Sequence, residues 1–185
     1  MSAKVFDLTG KVVVVTGAAG GIGMAVCRQL GGSGATIILS DIDKSGLERS
    51  KTELDSLGIK CGTFVGNTSI ESEVIALYQY VLKEFGVPDV LVNNAAQGTH
   101  TPPQDTTLEI WNRVIGTSLT GYFLNAREFA KLVIPAKKPA VVVNISSIAG
   151  SSAIGRGNFA YSTAKGGVNQ FTRELAIEWA KSKIR

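Results

Sequence analysis

Tyr161 and Lys165 lie four residues apart, early in a segment whose apolar residues recur at helical spacing, so their side chains share one helix face. A phenol titrates at about 10, and a neighbouring ammonium favours its ionised form, which suits the pair to acid–base work nearer neutrality. Taken alone, the same spacing also describes a surface pair. Ser147, fourteen residues upstream, falls in the loop that leaves a β-branched run. That is the carboxyl edge at which parallel α/β sheets bind ligands, although a single loop serine is equally an ordinary turn residue.

A second chemistry is written between the first apolar run and the helix that follows it, in Thr16, Gly17, Ala18, Ala19, Gly20, Gly21, Ile22 and Gly23. Glycines there let the backbone turn tightly and approach a pyrophosphate, while the free amides and dipole of the helix start favour its charge. A glycine-rich turn that only packs helix on strand has the same composition; the placement between strand and helix favours phosphate binding. Asp41 ends the second apolar run, eighteen residues after Gly23. An acid at that place hydrogen-bonds the adenosine ribose of a bound dinucleotide. It would also serve as a helix N-cap, a role open equally to Asp43.

The elements that must position these groups follow from pattern. Val12 to Thr16, Thr36 to Ser40 and Val141 to Ile145 are apolar without alternation, which predicts strands buried on both faces of a parallel sheet. Cys61 to Val65 and Asp89 to Asn93 are further candidates. Helices are predicted from Gly21 to about Gly32, from Lys44 to Leu57, from a capping box at Thr68 and Glu71 to Glu84, from Leu108 to Ile134 in one piece, and from Ala160 to Lys181. Pro135 and Pro139 close the long helix. Alternating strands and helices predict an α/β, doubly wound, Rossmann-type parallel sheet of order 3-2-1-4-5, forming a single domain over residues 1–185.

Composition bounds the partners. With 185 residues and 44% apolar content the chain can bury a substantial core. No apolar segment approaches the roughly 20 residues of a membrane helix, and residues 1–10 lack a basic stretch followed by an apolar run, so a soluble, cytoplasmic protein is expected. The net charge of +4 comes from scattered residues, with short clusters at Lys137 and Lys138 and at the end, which predicts a solvated surface and no nucleic-acid partner. Cys27 and Cys61 have no close partners for a metal site or disulfide and read as buried, reduced thiols.

Over essentially its whole length the chain resembles the short-chain dehydrogenase/reductase family. Thr16 to Gly23 matches the family's glycine segment, Asn93 to Ala96 its Asn-Asn-Ala-Gly motif, Asn144 to Gly150 the run holding its serine, and Tyr161 to Lys165 its Tyr-x-x-x-Lys signature. The resemblance implies that Tyr161 exchanges a proton with a secondary alcohol or ketone, that Ser147 hydrogen-bonds the same oxygen, and that Lys165 holds the nicotinamide ribose. It implies NAD as cofactor, bound through Gly17, Gly21, Ile22, Gly23, Asp41, Asn67, Thr68, Asn94 and Ala95 together with Tyr161 and Lys165. A homodimer or homotetramer is implied, with Trp111 and Phe123 on the long helix at the interface or in the monomer's own core, and with Gly116 and Gly121 permitting close packing. His100 stands in a loop that faces substrate or merely packs. Three departures stand out: Ser118 occupies the place of an asparagine in the proton relay, Asn67 that of an aspartate contacting adenine, and the chain stops at Arg185, where relatives continue into a sixth strand, a substrate cover and a seventh strand. Two other readings are an NADPH-dependent ketoacyl-type reductase, against which Asp41 argues, and a non-catalytic nucleotide-binding or oligomerisation module.

Overall fold

Five strands, β1 (Val12–Thr16), β2 (Thr36–Asp41), β3 (Cys61–Val65), β4 (Val90–Asn93) and β5 (Val141–Asn144), form one parallel sheet of order β3-β2-β1-β4-β5. Val13 pairs with Ile37 on one side and Val90 on the other, and β4 continues to β5 through Val90 and Val141. The order reverses between β1 and β4, which opens a crevice at their carboxyl ends. The computed structural model describes residues 6–185; the first five residues of the leader-free stretch expected from the sequence lie outside the described residues.

The helices are α1 (Gly21–Gly32), α2 (Lys44–Ser56), α3 (Glu71–Phe85), α4 (Leu108–Ile115), α5 (Gly121–Val133) and α6 (Phe159–Glu178). Strand pleating divides the core into two layers. Val13, Val15, Ile37 and Leu39 face Met24, Cys27, Leu47 and Leu54 of α1 and α2, while Val14, Ile38 and Leu91 face Val74, Leu77, Phe129 and Val133 of α3 and α5. Each fully buried aliphatic side chain contributes about 1.5–3 kcal/mol, so the central strands anchor the whole carboxyl edge. Among the described residues no helix is long and apolar enough to cross a membrane.

Five expectations are corrected. The helix expected from Leu108 to Ile134 is interrupted by a wider π turn at Gly116–Thr120, which separates α4 from α5. Thr68 does not cap α3, which begins three residues later; Asn67 donates its backbone N–H to the Glu73 carboxylate instead (2.7 Å), while Thr68 is buried against Gly121. β5 is only half-buried, with Val143 41% exposed, because it lies at the sheet edge. There the chain's last residues begin a parallel pairing: Ala140 donates to the Lys183 carbonyl and Val142 to that of Arg185. Lys138 is not a purely solvated charge, for its ammonium pairs with the buried Asp89 carboxylate at 3.0 Å, beside Lys11 at 3.1 Å. Cys27 is buried and its thiol is pushed up to about 12 by desolvation, whereas Cys61 is only half-buried.

Candidate active site

The glycine segment forms the turn from β1 into α1. Gly17 has a φ of +65°, and a Cβ there would stand 2.8 Å from the Ala95 Cα. A Cβ on Gly23 would run into the Gly17 carbonyl oxygen. Neither a capping side chain nor an acidic residue occupies the start of α1, so its first amides are free for an anion. Thr16 ties this turn to the segment after β4. Its hydroxyl oxygen accepts from the amides of Asn94 (3.0 Å) and Ala95 (3.1 Å), and the Asn94 side-chain amide donates back to the carbonyls of Thr16 and Gly17, both at 3.0 Å.

We expect Gly23→Ala to lower stability by about 1–3 kcal/mol and dinucleotide affinity at least tenfold, since the turn must open to admit the methyl group. Thermal unfolding and a fluorescence titration of reduced cofactor would check it.

The two acids after β2 separate their roles. Asp43 caps α2 by accepting from the Gly46 amide at 3.0 Å. Asp41 accepts from the Ala19 amide (3.0 Å) with one oxygen and from the Asp43 amide (3.0 Å) with the other, which fixes its carboxylate beside the glycine turn. A cleft of about 450 Å³ at the switch point is lined by Gly17, Asp41, Asn67, Thr68, Asn94 and Ala95. Gly21, Ile22 and Gly23 form the first turn of α1 but do not line it, and Ile22 is largely exposed. Ile42, Arg113 and Thr117 also line the cleft and were not picked out by sequence reasoning. Thr117 sits in the π turn, whose wider winding no local pattern announces. The Asn67 side-chain oxygen is occupied locally, accepting from the Ser69 amide (2.9 Å) and hydroxyl (2.7 Å).

Lys165 is 1% exposed yet carries a charge. Its ammonium donates to the Ile145 carbonyl (2.6 Å) and to the Tyr122 hydroxyl (2.9 Å), and it lies 5.6 Å from the centre of the Tyr161 ring. Desolvation lowers its pKa to about 8. Tyr161 is half-buried, and its hydroxyl makes no hydrogen bond among the described residues. The loop after β5 is stitched to α6. Ser146 donates toward the Lys165 carbonyl and Asn169, and a Cβ on Gly150 would stand 2.6 Å from that same carbonyl. Ser147 is left as the local cap of a short 3-10 turn, accepting from the Ala149 amide at 3.1 Å.

Ser118 is fully buried in the π turn. Its hydroxyl accepts from the Gln97 amide (2.9 Å) and donates to the Gln97 carbonyl (3.0 Å), so it clamps the segment after β4 and commits its single proton there. Tyr122, by contrast, touches Lys165 directly and was missed, because one more aromatic on an apolar helix face reads as core. His100 is exposed, with one ring nitrogen 3.4 Å from the Arg156 carbonyl. Trp111 stacks at 5.5 Å on Phe159 of its own chain, while Phe123 is 45% exposed with the Arg127 guanidinium over its ring.

A doubly wound sheet with a dinucleotide-type turn at its switch point, and a buried lysine beside a tyrosine on the neighbouring helix, define a nucleotide-dependent oxidoreductase architecture. The chain belongs to the short chain dehydrogenase family, whose model matches residues 11–185. It is 33% identical over 187 aligned residues to 2-dehydro-3-deoxy-D-gluconate 5-dehydrogenase of Formosa agariphila, covering 100% of this chain and 70% of that protein. It is 35% identical to glucose 1-dehydrogenase 2 of Bacillus subtilis, covering 97% of this chain and 70% of that one. Among solved structures, NAD+-bound xylitol dehydrogenase superposes with a TM-score of 0.91 at 32% identity, covering 96% of this chain and 68% of its own.

Proposed function

We propose that this chain is the cofactor-binding and catalytic part of an NAD(H)-linked dehydrogenase acting on a secondary alcohol or ketone. The single observation that carries the reading is the buried Lys165 ammonium, fixed by two hydrogen bonds within reach of Tyr161 at the carboxyl edge of the sheet. A lysine kept charged at 1% exposure is costly to folding and is retained where its charge is used. The residues present fit a dinucleotide: the α1 amides are free, and Gly17 and Gly23 leave room that a Cβ would fill.

When bound, the nicotinamide supplies or takes the hydride. Tyr161 gives a proton to the substrate oxygen in reduction and takes it back in oxidation, Ser147 hydrogen-bonds that oxygen, and Lys165 offers its remaining N–H to the nicotinamide ribose. Asn94 and Ala95 hold the turn against β1, Thr68 lines the cleft where it would border the adenine, and Ser118 would support a proton relay indirectly by fixing the Gln97 segment. A homodimer or homotetramer in the cytoplasm belongs to the same reading, with the exposed Phe123 on α5 offered to the subunit contact. Following reduced-cofactor absorbance over a panel of polyols, sugars and hydroxysteroids tests the reading; no turnover with any of them, by the full-length protein, would remove it.

The cofactor is taken to be NAD(H) because of Asp41. The 2′-phosphate of NADP would place nearly two negative charges beside its carboxylate. Unit charges 4 Å apart repel by about 4 kcal/mol at an effective dielectric of 20, and about half of that after solvent screening is still a tenfold or greater discrimination. Gly20 is extended and a Cβ there meets open space, so Gly20→Arg is accommodated. Combined with Asp41→Asn, which keeps an acceptor for the Ala19 amide, it is expected to move the kcat/KM ratio toward NADP(H) at least tenfold. An unmoved ratio removes Asp41 as the selector.

A further inference from the structure

We propose that Tyr122 is a positioning residue for the reaction: its buried hydroxyl, itself fixed on the Ile145 carbonyl, accepts a hydrogen bond from the Lys165 ammonium and holds that group, charged and oriented, beside Tyr161. The inference rests on the role given above to Lys165. Tyr122 lies in the first turn of α5, immediately after the π turn, and is 1% exposed. Its hydroxyl donates to the Ile145 carbonyl (3.0 Å), and Lys165 donates both to that hydroxyl (2.9 Å) and to the same carbonyl (2.6 Å). The three groups close a triangle in which the phenol points its proton away from the ammonium and its lone pair toward it. Two of the three ammonium N–H groups are thereby committed, and one is left for a ligand.

Packing alone does not call for this hydroxyl. A phenylalanine would fill the same volume, and a buried hydroxyl opposes folding unless it is bonded. The phenol's own titration is moved well above its ordinary value, first by burial and then by Tyr161, so the group stays a neutral acceptor wherever the enzyme works. The groups facing Lys165 are Tyr122 from α5, Tyr161 from its own helix and the Ile145 carbonyl after β5; among the described residues no carboxylate pairs with it. Burial has already lowered the lysine to about 8, and among the described residues the Tyr122 hydroxyl is the side-chain group that hydrogen-bonds its ammonium.

The test is a titration of Lys165 by NMR in protein carrying 13Cε-labelled lysine, for wild type and Tyr122→Phe, without cofactor or substrate. A hydrogen bond to an ionised group is worth about one to two pKa units, so the Lys165 midpoint should fall by about one unit or more in the variant. The alkaline limb of kcat/KM should move down by the same amount, and KM for the cofactor should rise more than kcat falls. A Lys165 midpoint within a few tenths of wild type overturns the proposal, whatever the melting temperature does. Should Tyr122→Phe fail to fold, 13Cζ-tyrosine labelling of the unaltered protein decides: the Tyr122 resonance must follow the Lys165 midpoint, and an independent titration overturns the proposal. Tyr161→Phe, measured in parallel, keeps the two readings apart, because turnover in that variant removes the acid–base assignment and leaves the lysine titration as a test of Tyr122.

Discussion

Tyr161→Phe lowers kcat by about 10²–10⁴-fold or more while the affinity for reduced cofactor stays within a few fold of wild type. The hydroxyl makes no hydrogen bond among the described residues, so its removal leaves no partner unpaired and the melting temperature should hardly move. What is lost is the proton that the substrate oxygen must receive or surrender, and the remaining ring still fills its place on α6. Steady-state kinetics, a cofactor titration and a melting curve separate the outcomes. Turnover close to wild type would assign the acid–base role elsewhere, and a collapse of stability would show the hydroxyl to be structural.

Lys165→Met is expected to abolish turnover, weaken cofactor binding at least tenfold and yet stabilise the fold near neutral pH. The native lysine titrates at about 8 instead of 10.5, a difference of about 3 kcal/mol that burial of the charge takes from stability. Methionine has similar length, and the Ile145 carbonyl keeps its bond from Tyr122, so no orphan acceptor is created. The sign follows from proton binding: below pH 8 both native and unfolded wild type hold the lysine proton and the full penalty stands. Between 8 and 10.5 the unfolded chain binds the proton and the native one does not, so wild-type stability gains on the variant as pH rises. The Cys27 thiol, pushed up to about 12, pulls stability the other way above pH 9, but equally in both proteins. The stability difference from denaturant unfolding should therefore be largest at pH 7 and shrink toward pH 10.5. A variant less stable than wild type at pH 7, or a gap that widens with pH, contradicts a buried, uncompensated charge.

The central strands were legible because Val13 to Val15 and Ile37 to Leu39 are buried on both faces, and continuous β-branched runs have few other uses. β5 carries the same composition at an edge, and composition cannot tell which neighbour a strand lacks. The capping box at Thr68 misled because its spacing is right while its hydroxyl is packed against Gly121. Gly17 and Asp41 were readable from order along the chain, since the turn after β1 and the end of β2 reach one crevice without any distant contact, whereas Gly21 and Gly23 went into the first turn of α1 and off the cleft wall. The Ser118 clamp on Gln97 and the Tyr122 bond to Lys165 join residues 21 and 43 positions apart, and no local pattern encodes which hydroxyl meets which partner.

The π turn at Gly116–Thr120 winds one residue more into its turn than an α-helix would. The extra residue is absorbed within the bulge, so loss of a single residue from this stretch would restore ordinary helical winding and leave the helices on either side in their places. α4 is held through Trp111 on Phe159, and α5 through Phe129 and Val133 in the core, so both halves would keep their packing and only the bulge would be rewound. What would be lost is the wider winding that seats the Ser118 hydroxyl on Gln97, while Tyr122, beyond the bulge, would keep its place against Lys165.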